Sequence, residues 1–189
     1  MKNLKFIFTI LLSALFLIGC NGKKSEGKGA ENDSVITTVF TVDDLLASAD
    51  QLANKTISVE GDCSHLCTHS GKKLFLEGNS EDAMIRAESD KPFRQECINK
   101  KVLVTGKLIE EKIDEAYLTN WEGELAVKAD SLTHDGCTTE RRAVGQKEIE
   151  SASDRIANFR ERIAEEKAKT GKEYLAFYHI ETANYRVVE

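Results

Sequence analysis

The chain has 189 residues with a formal net charge of −6 at pH 7; 31% of its residues are charged and 41% are hydrophobic. Residues 35–139 carry 19 acidic and 11 basic side chains, a net charge of −8. Because nucleic-acid binding depends mainly on neutralisation of phosphates by Lys and Arg, this balance disfavours a nucleic acid as partner. The length is sufficient for one domain with a sizeable core.

The first twenty residues have the pattern of an export signal. Lys2 and Lys5 precede an apolar run from Phe6 to Ile18. As a helix this run would be roughly 20 Å long, too short for a hydrocarbon core of about 30 Å, so it is typical of a secretory signal. It ends in Leu17-Ile18-Gly19-Cys20, which resembles the lipobox of bacterial lipoproteins. The resemblance implies removal of residues 1–19 and acylation of the Cys20 thiol, for example with palmitate, which anchors the mature chain to a membrane.

A linker follows the expected lipidation site. Residues 20–34 are rich in Gly, Lys, Ser, Glu and Asn and contain almost no apolar side chain that could be buried. This composition predicts a flexible tether between Cys20 and a folded part that begins near Val35.

The folded part is predicted to begin with a helix and to continue in short strands. Thr41 followed by Asp43 and Asp44 predicts a capped helix from Thr41 to Ala53. The apolar period then changes to two, which is typical of strands. The predicted strands cover residues 56–67, 72–77, 83–87, 101–109 and 116–121, with a helical turn at 92–98.

This order of elements predicts the fold class. Glycines inside the first and fourth strands, Gly61 and Gly106, suit the tight coiling of a small Greek-key barrel. The order resembles that of an OB-fold over about residues 41–130. We therefore expect a mainly β protein with some α structure, in which an OB-like five-stranded barrel at 35–139 carries a packed C-terminal segment at 140–189.

The C-terminal segment is predicted to contain a helix and terminal β structure. Apolar residues recur at spacings of three and four from Ile149 to Ile163. This stripe predicts an amphipathic helix over Lys147–Lys169 that ends at Gly171. The aromatic and β-branched tail Tyr174–Val188 predicts one or two terminal strands, buried against the barrel or forming an extra hairpin.

Cysteine and histidine are concentrated near the end of the first predicted strand. If that strand continued to residue 69, alternate side chains from 63 to 69 would share one face, with neighbours about 7 Å apart, and could bind one metal. Thiolate and imidazole ligands suit zinc, copper or iron, including a haem iron. The candidate ligands are His65, Cys67, His69 and Cys137, with Cys63, Cys97 and His134 as further donors.

Disulfides are the competing interpretation, since an exported domain with an even number of cysteines commonly forms them. After Cys20 the candidates are Cys63, Cys67, Cys97 and Cys137. On a continuous strand Cys63 and Cys67 would be about 13 Å apart, whereas a bridge needs Cα atoms within roughly 7 Å. Each would then pair with Cys97 or Cys137. Thiol-redox activity is a third option, although the spacing C-x-x-x-C departs from the redox motif C-x-x-C.

Two motifs characterise the mature chain as a whole. His65 to Lys72 reads H-x-C-x-H-x-G-[KR], and Cys137 to Glu140 reads Cys-x-Thr-Glu. In this combination the chain is similar to a group of uncharacterised lipoproteins from Bacteroidota with an OB-like domain, a C-terminal helix and an aromatic tail. The resemblance implies this fold, an envelope location, and a bridge or shared metal between Cys67 and Cys137. Residues 21–24 lack the acidic run of surface-exported members, so we expect a position facing the periplasm.

The sequence contains no pattern typical of a Ser-His-Asp triad, a glycine-rich phosphate loop or a paired-carboxylate helix. The expected function is a non-catalytic, membrane-anchored OB-fold module that binds a small ligand or a protein in the cell envelope. The alternative is a metal- or haem-handling protein that uses His65, Cys67 and His69.

Overall fold

A computed structural model of the chain describes residues 38–127, 137–146, 148–149 and 151–188. All of them belong to one compact unit, Asn32–Glu189. The predicted signal segment, the lipidation of Cys20, the tether and the loop residue His134 lie outside the described residues.

The described residues form six strands, five helices and one 3₁₀ turn, Gln95–Cys97. The strands are β1 (Val39–Thr41), β2 (Thr56–Leu66), β3 (Lys73–Glu77), β4 (Met84–Glu88), β5 (Lys101–Asp114) and β6 (Tyr174–Val187). The helices are α1 (Val42–Ala47), α2 (Ala49–Leu52), α3 (Glu115–Val127), α4 (Thr138–Ala143) and α5 (Ala152–Thr170). We refer to α3, α4 and α5 together as the helical layer.

Five strands close into a barrel in the order β2-β3-β4-β6-β5, and the pairing of β2 with β5 completes it. The pairing of β4 with β6 is parallel, and the other pairings within the barrel are antiparallel. β1 adds to β2 as a parallel sixth strand. The predicted fold class is confirmed: the protein is mainly β with α, and its closed, mixed five-stranded barrel is OB-like.

The prediction that residues 116–121 form the fifth barrel strand is wrong, because they lie in α3. Asp114 Oδ1 accepts a hydrogen bond from the Tyr117 N–H at 2.8 Å, which satisfies a free donor at the start of the helix. The fifth strand is β6, which the C-terminal tail supplies. The tail is therefore part of the barrel, and the predicted barrel boundary at residue 139 is wrong for the same reason.

Two glycines, Gly61 and Gly106, allow close approach of chain segments in the barrel. A Cβ at Gly61 would lie 2.7 Å from Val42 Cγ2. A Cβ at Gly106 would collide with the backbone oxygen of Glu181, next to the point where the β5–β6 register shifts. Any larger side chain at either position would force the strands apart.

The helical layer packs on a ribbon that extends from the barrel. Residues 101–107 of β5 pair with β2, whereas its last residues pair with β6 alone. Beside this ribbon, α3 and α5 enclose a second, smaller core of Ile113, Leu118, Ile156 and Phe159. The predicted C-terminal helix is present but begins at Ala152, where Ser151 Oγ accepts a hydrogen bond from the Asp154 N–H at 3.1 Å. It ends at Gly171, whose φ is +81°. None of the helices in the described part of the chain has the length and apolar character needed to cross a membrane.

Candidate functional site

A β-bulge separates the side chains of the cysteine–histidine cluster. The register between β2 and β3 shifts between Cys63 and His65, so that Ser64 is an additional residue. Cys63 and Leu66 are consequently both buried in the barrel core, whereas His65 packs beside Phe75 with ring centroids 5.8 Å apart. The expectation that the residues at 63, 65, 67 and 69 share one face is wrong. After the bulge, even-numbered side chains take the core-facing side that odd-numbered ones held before it. The strand β2 also ends at Leu66, before it reaches residues 67 and 69.

The predicted ligands and disulfide partners lie as follows. His69 is exposed in the turn after β2, and Cys137 precedes α4 as its N-cap. Among the described residues, no three His, Cys, Asp or Glu side chains are grouped so that they could hold a metal ion. The four disulfide candidates, Cys63, Cys67, Cys97 and Cys137, are free thiols.

Cys63 and Cys97 lie in the same core cluster and are both fully buried. Cys63 pairs with the turn that follows Cys97: its N–H donates to Lys100 O, and its carbonyl accepts from the Asn99 N–H, both at 2.8 Å. Burial, and then the Cys97 thiol, raise the pKa of Cys63 to about 12, and burial also raises the pKa of Cys97. Both therefore stay protonated at neutral pH, which makes them poor nucleophiles.

The pKa of Cys67 is shifted in the opposite direction from those of Cys63 and Cys97. Burial alone would raise its pKa, but hydrogen bonds from Ser70 and His69 outweigh burial and lower the pKa. Lys73 acts in the same direction through its charge. Cys67 is therefore the one of these three thiols that forms thiolate most easily.

A cleft of about 460 Å³ lies between the barrel wall and the helical layer. Its volume falls within the range of roughly 300–1,000 Å³ that small-molecule sites occupy. Apolar and aromatic side chains line it from both sides: Ile113 and Phe177 from the ribbon, and Tyr117, Trp121 and Phe159 from the helices. Burial, and then the nearby Glu111 carboxylate, raise the pKa of Tyr117, so its phenol is neutral at physiological pH.

Charged groups share the lining with these apolar side chains. The cations are Lys73, Arg86, Arg141 and Arg155, and the carboxylates are Glu111, Glu124 and Glu140. Arg86 projects from β4 with a side chain that is 16% exposed. It donates hydrogen bonds of 3.0 Å to Glu111 Oε2 and to Glu140 Oε1. Lys73 donates to the same Glu140 oxygen at 2.6 Å, so that α4 is attached to the barrel by two cations.

A buried glutamine positions the helical side of the cleft. Gln146 is 1% exposed; it donates to Arg155 O at 2.9 Å and to Asn158 Oδ1 at 3.1 Å. Its Oε1 accepts from Arg155 Nε at 2.9 Å. The guanidinium of Arg155 lies 5.0 Å from the centre of the Trp121 ring, a cation–π contact that fixes this aromatic wall.

Reasoning from the sequence missed this cleft. Arg86 in an otherwise apolar strand was one available signal, because a charged residue at such a position usually has a specific partner. Its partner Glu140 is 54 residues further along the chain, and no local pattern links the two.

Comparison with known proteins does not identify the chain. No protein-family model matches it, and no curated protein matches it. Among solved structures it is similar to a putative aspartyl-tRNA synthetase from Leishmania major Friedlin, with 14% identity and a TM-score of 0.28. The match covers 45% of this chain and 18% of that protein. At this TM-score we draw no functional argument from it.

Proposed function

We propose that the chain is a lipid-anchored OB-fold binding module of the bacterial cell envelope that faces the periplasm. Its ligand binds in the cleft between the barrel and the helical layer. The observation that carries the proposal is the lining of this cleft, where apolar and aromatic side chains meet four cations and three carboxylates. In small-molecule sites apolar contacts supply affinity and polar groups supply orientation, and this cleft contains both kinds of group.

The sequence supports the anchor and the location. The apolar run that ends in Gly19-Cys20, followed by a polar tether, is what a lipoprotein precursor requires. The resemblance of His65 to Lys72 and of Cys137 to Glu140 to Bacteroidota lipoproteins supports the same assignment.

The architecture supports a binding role, because the two walls of the cleft differ in kind. Arg86 and Glu111 project from hydrogen-bonded barrel strands, which hold them in fixed positions. Tyr117 and Trp121 project from α3, which packs against a small core. A rigid wall opposite a more adaptable one is a common arrangement at ligand sites.

The anchor is tested by a single substitution. Cys20→Ser in the full chain removes the thiol that would be acylated. We expect the unchanged chain to incorporate a palmitate analogue and to sediment with membranes, and the variant to do neither. An unchanged distribution of Cys20→Ser between membrane and soluble fractions would contradict the proposed anchor.

The ligand site is tested through Trp121, which is the only tryptophan of the chain and lines the cleft. We expect the neutral aromatic probe phenylnaphthylamine to quench Trp121 emission saturably in the Cys20→Ser chain. Tyr117→Ala should weaken this binding several-fold, because the cleft loses an aromatic contact. Val127→Ala is the matched control, since Val127 is 87% exposed and does not line the cleft. Absence of saturable quenching would contradict the proposed site.

Elemental analysis of the same sample tests the metal- or haem-handling alternative. That alternative requires stoichiometric zinc, iron or copper that His65→Ala or Cys67→Ser removes.

A further inference from the structure

We infer that the cleft binds a small organic anion with a planar apolar body, whose acidic group is held by Arg141. The inference rests on the proposed function, since it assigns a ligand class to the same cleft.

Three of the four cations in the cleft already have partners that fix them in place. Lys73 and Arg86 share the carboxylate of Glu140, and Arg86 also binds Glu111. Arg155 is held by Gln146 and by its contact with the Trp121 ring. These groups build the cleft and are not free to receive a ligand's charge.

Arg141 differs from the other three. Within the described part of the chain it forms no ion pair, and its Nη2 makes one long hydrogen bond of 3.4 Å to Thr138 Oγ1. Its Nε–H is buried and has no acceptor among the residues that the structure describes. A buried donor without a partner is unfavourable, and a guanidinium leaves its fork of N–H groups open to a carboxylate or a sulfonate. The unsatisfied group therefore points to an anion.

The remaining lining favours a planar body on that anion. Trp121 and Tyr117 meet edge to face with ring centroids 6.4 Å apart, and Phe159 and Phe177 do so at 6.0 Å. Flat rings pack well against such faces and edges. The whole chain carries a net charge of −6, so its general field repels anions, and an anion that binds must be held by local groups.

Two fluorescent probes test this ligand class. Anilinonaphthalene sulfonate and phenylnaphthylamine share the same arylamine and naphthalene rings and differ in one sulfonate. In the Cys20→Ser chain, we expect the sulfonate to quench Trp121 with about tenfold higher affinity than the neutral probe, as one charge-assisted hydrogen-bond pair predicts.

The matched variants are Arg141→Gln and Arg142→Gln, which remove the same charge at adjacent positions. Arg142 pairs with Glu77 at 2.6 Å and does not line the cleft. Arg141→Gln should abolish the preference for the sulfonate, so that the two probes bind with similar affinity. Arg142→Gln should keep the preference. Circular dichroism of both variants checks that α4 and α5 remain folded.

The outcomes separate the inference from the proposed function. If the neutral probe binds and the sulfonate binds no better, the inference is overturned and the proposed function stands. If Arg141→Gln retains the preference, the anion binds elsewhere and the inference is again overturned. If neither probe perturbs Trp121, the proposed function fails together with the inference.

Discussion

The barrel and the helical layer are stabilised by different forces. Eighteen buried side chains form one continuous cluster inside the barrel and under α1 and α2. The helical layer has a core of four buried side chains and relies on polar contacts for much of its attachment. Glu140 bridges Lys73 and Arg86, and Arg142 pairs with Glu77. Since burial of apolar area dominates folding free energy, the barrel is the stable scaffold and the layer is the weaker part.

The position of the cleft between these two regions suits its proposed binding role. A binding site needs fixed groups for orientation and some freedom for entry of the ligand. The border between the two regions offers both.

The largest effect is expected from Leu76→Ala in the barrel, compared with Leu118→Ala in the helical layer. Both leucines are fully buried. Leu76→Ala should reduce the free energy of unfolding by about 4 kcal/mol, because the dense barrel core cannot close the cavity. Leu118→Ala should cost about 2 kcal/mol, because the smaller core can relax. Urea unfolding measures both values.

Amide hydrogen exchange shows whether the two regions are separate. In Leu118→Ala, amides of α3 and α5 should lose protection, while those of β2 and β3 keep it. Equal loss of protection in the barrel would show that both regions unfold as one cooperative unit, and the contrast between them would be lost.

A smaller effect is expected from Glu140→Gln, which removes the carboxylate that two cations share. The side chain of Glu140 is 24% exposed. We expect a loss of about 1 kcal/mol at low ionic strength that shrinks in about 1 M salt, because salt screens the ion pairs in the unchanged chain. Glu96→Gln is the control, since Glu96 and its partner Arg94 are both about 60% exposed and should contribute nothing measurable. A loss independent of salt would argue for packing, not charge, as the means of attachment.

The smallest effect is expected from Arg160→Gln, at the surface of the layer. Arg160 hydrogen-bonds Glu115 and Glu122, and these bonds hold the pKa of both carboxyls below their ordinary value of 4.5. The stabilisation by Arg160 is therefore complete above pH 4.5 and is lost as the pH falls through the lowered pKa values of the folded state. The difference in melting temperature between the unchanged chain and Arg160→Gln should be a few degrees at most near pH 7 and should vanish in stronger acid. A difference that grows in acid would contradict this sign.

The strands were predictable where the alternation of apolar residues reflects burial directly. Along β5, Val102, Val104 and Leu108 face the core as the sequence indicates. The alternation failed at Ser64, because a bulge adds a residue without leaving a signature in the residue types. The strand prediction also failed at 116–121, where Asp114 starts a helix.

The site was less predictable than the fold. Its parts come from β4, α3, α4 and α5, and they are brought together only by pairings such as Arg86 with Glu140. The apolar stripe on α5 correctly indicated which face of the helix is buried. Such a stripe does not identify the element that the helix packs against. Cysteine and histidine are common metal ligands, so the sequence pointed to them as candidate functional residues. The cleft is lined by residue types that occur in every protein and gave no such signal.

The position of β6 in the sheet means that the barrel cannot close before this strand is in place. β6, the strand that joins β4 to β5, follows the other five strands and the whole helical layer along the chain. Until it arrives, two sheet edges have no neighbour, and exposed edges invite pairing with other chains. The barrel is therefore open to association with other chains until β6 pairs with both neighbours and closes the circle of strands.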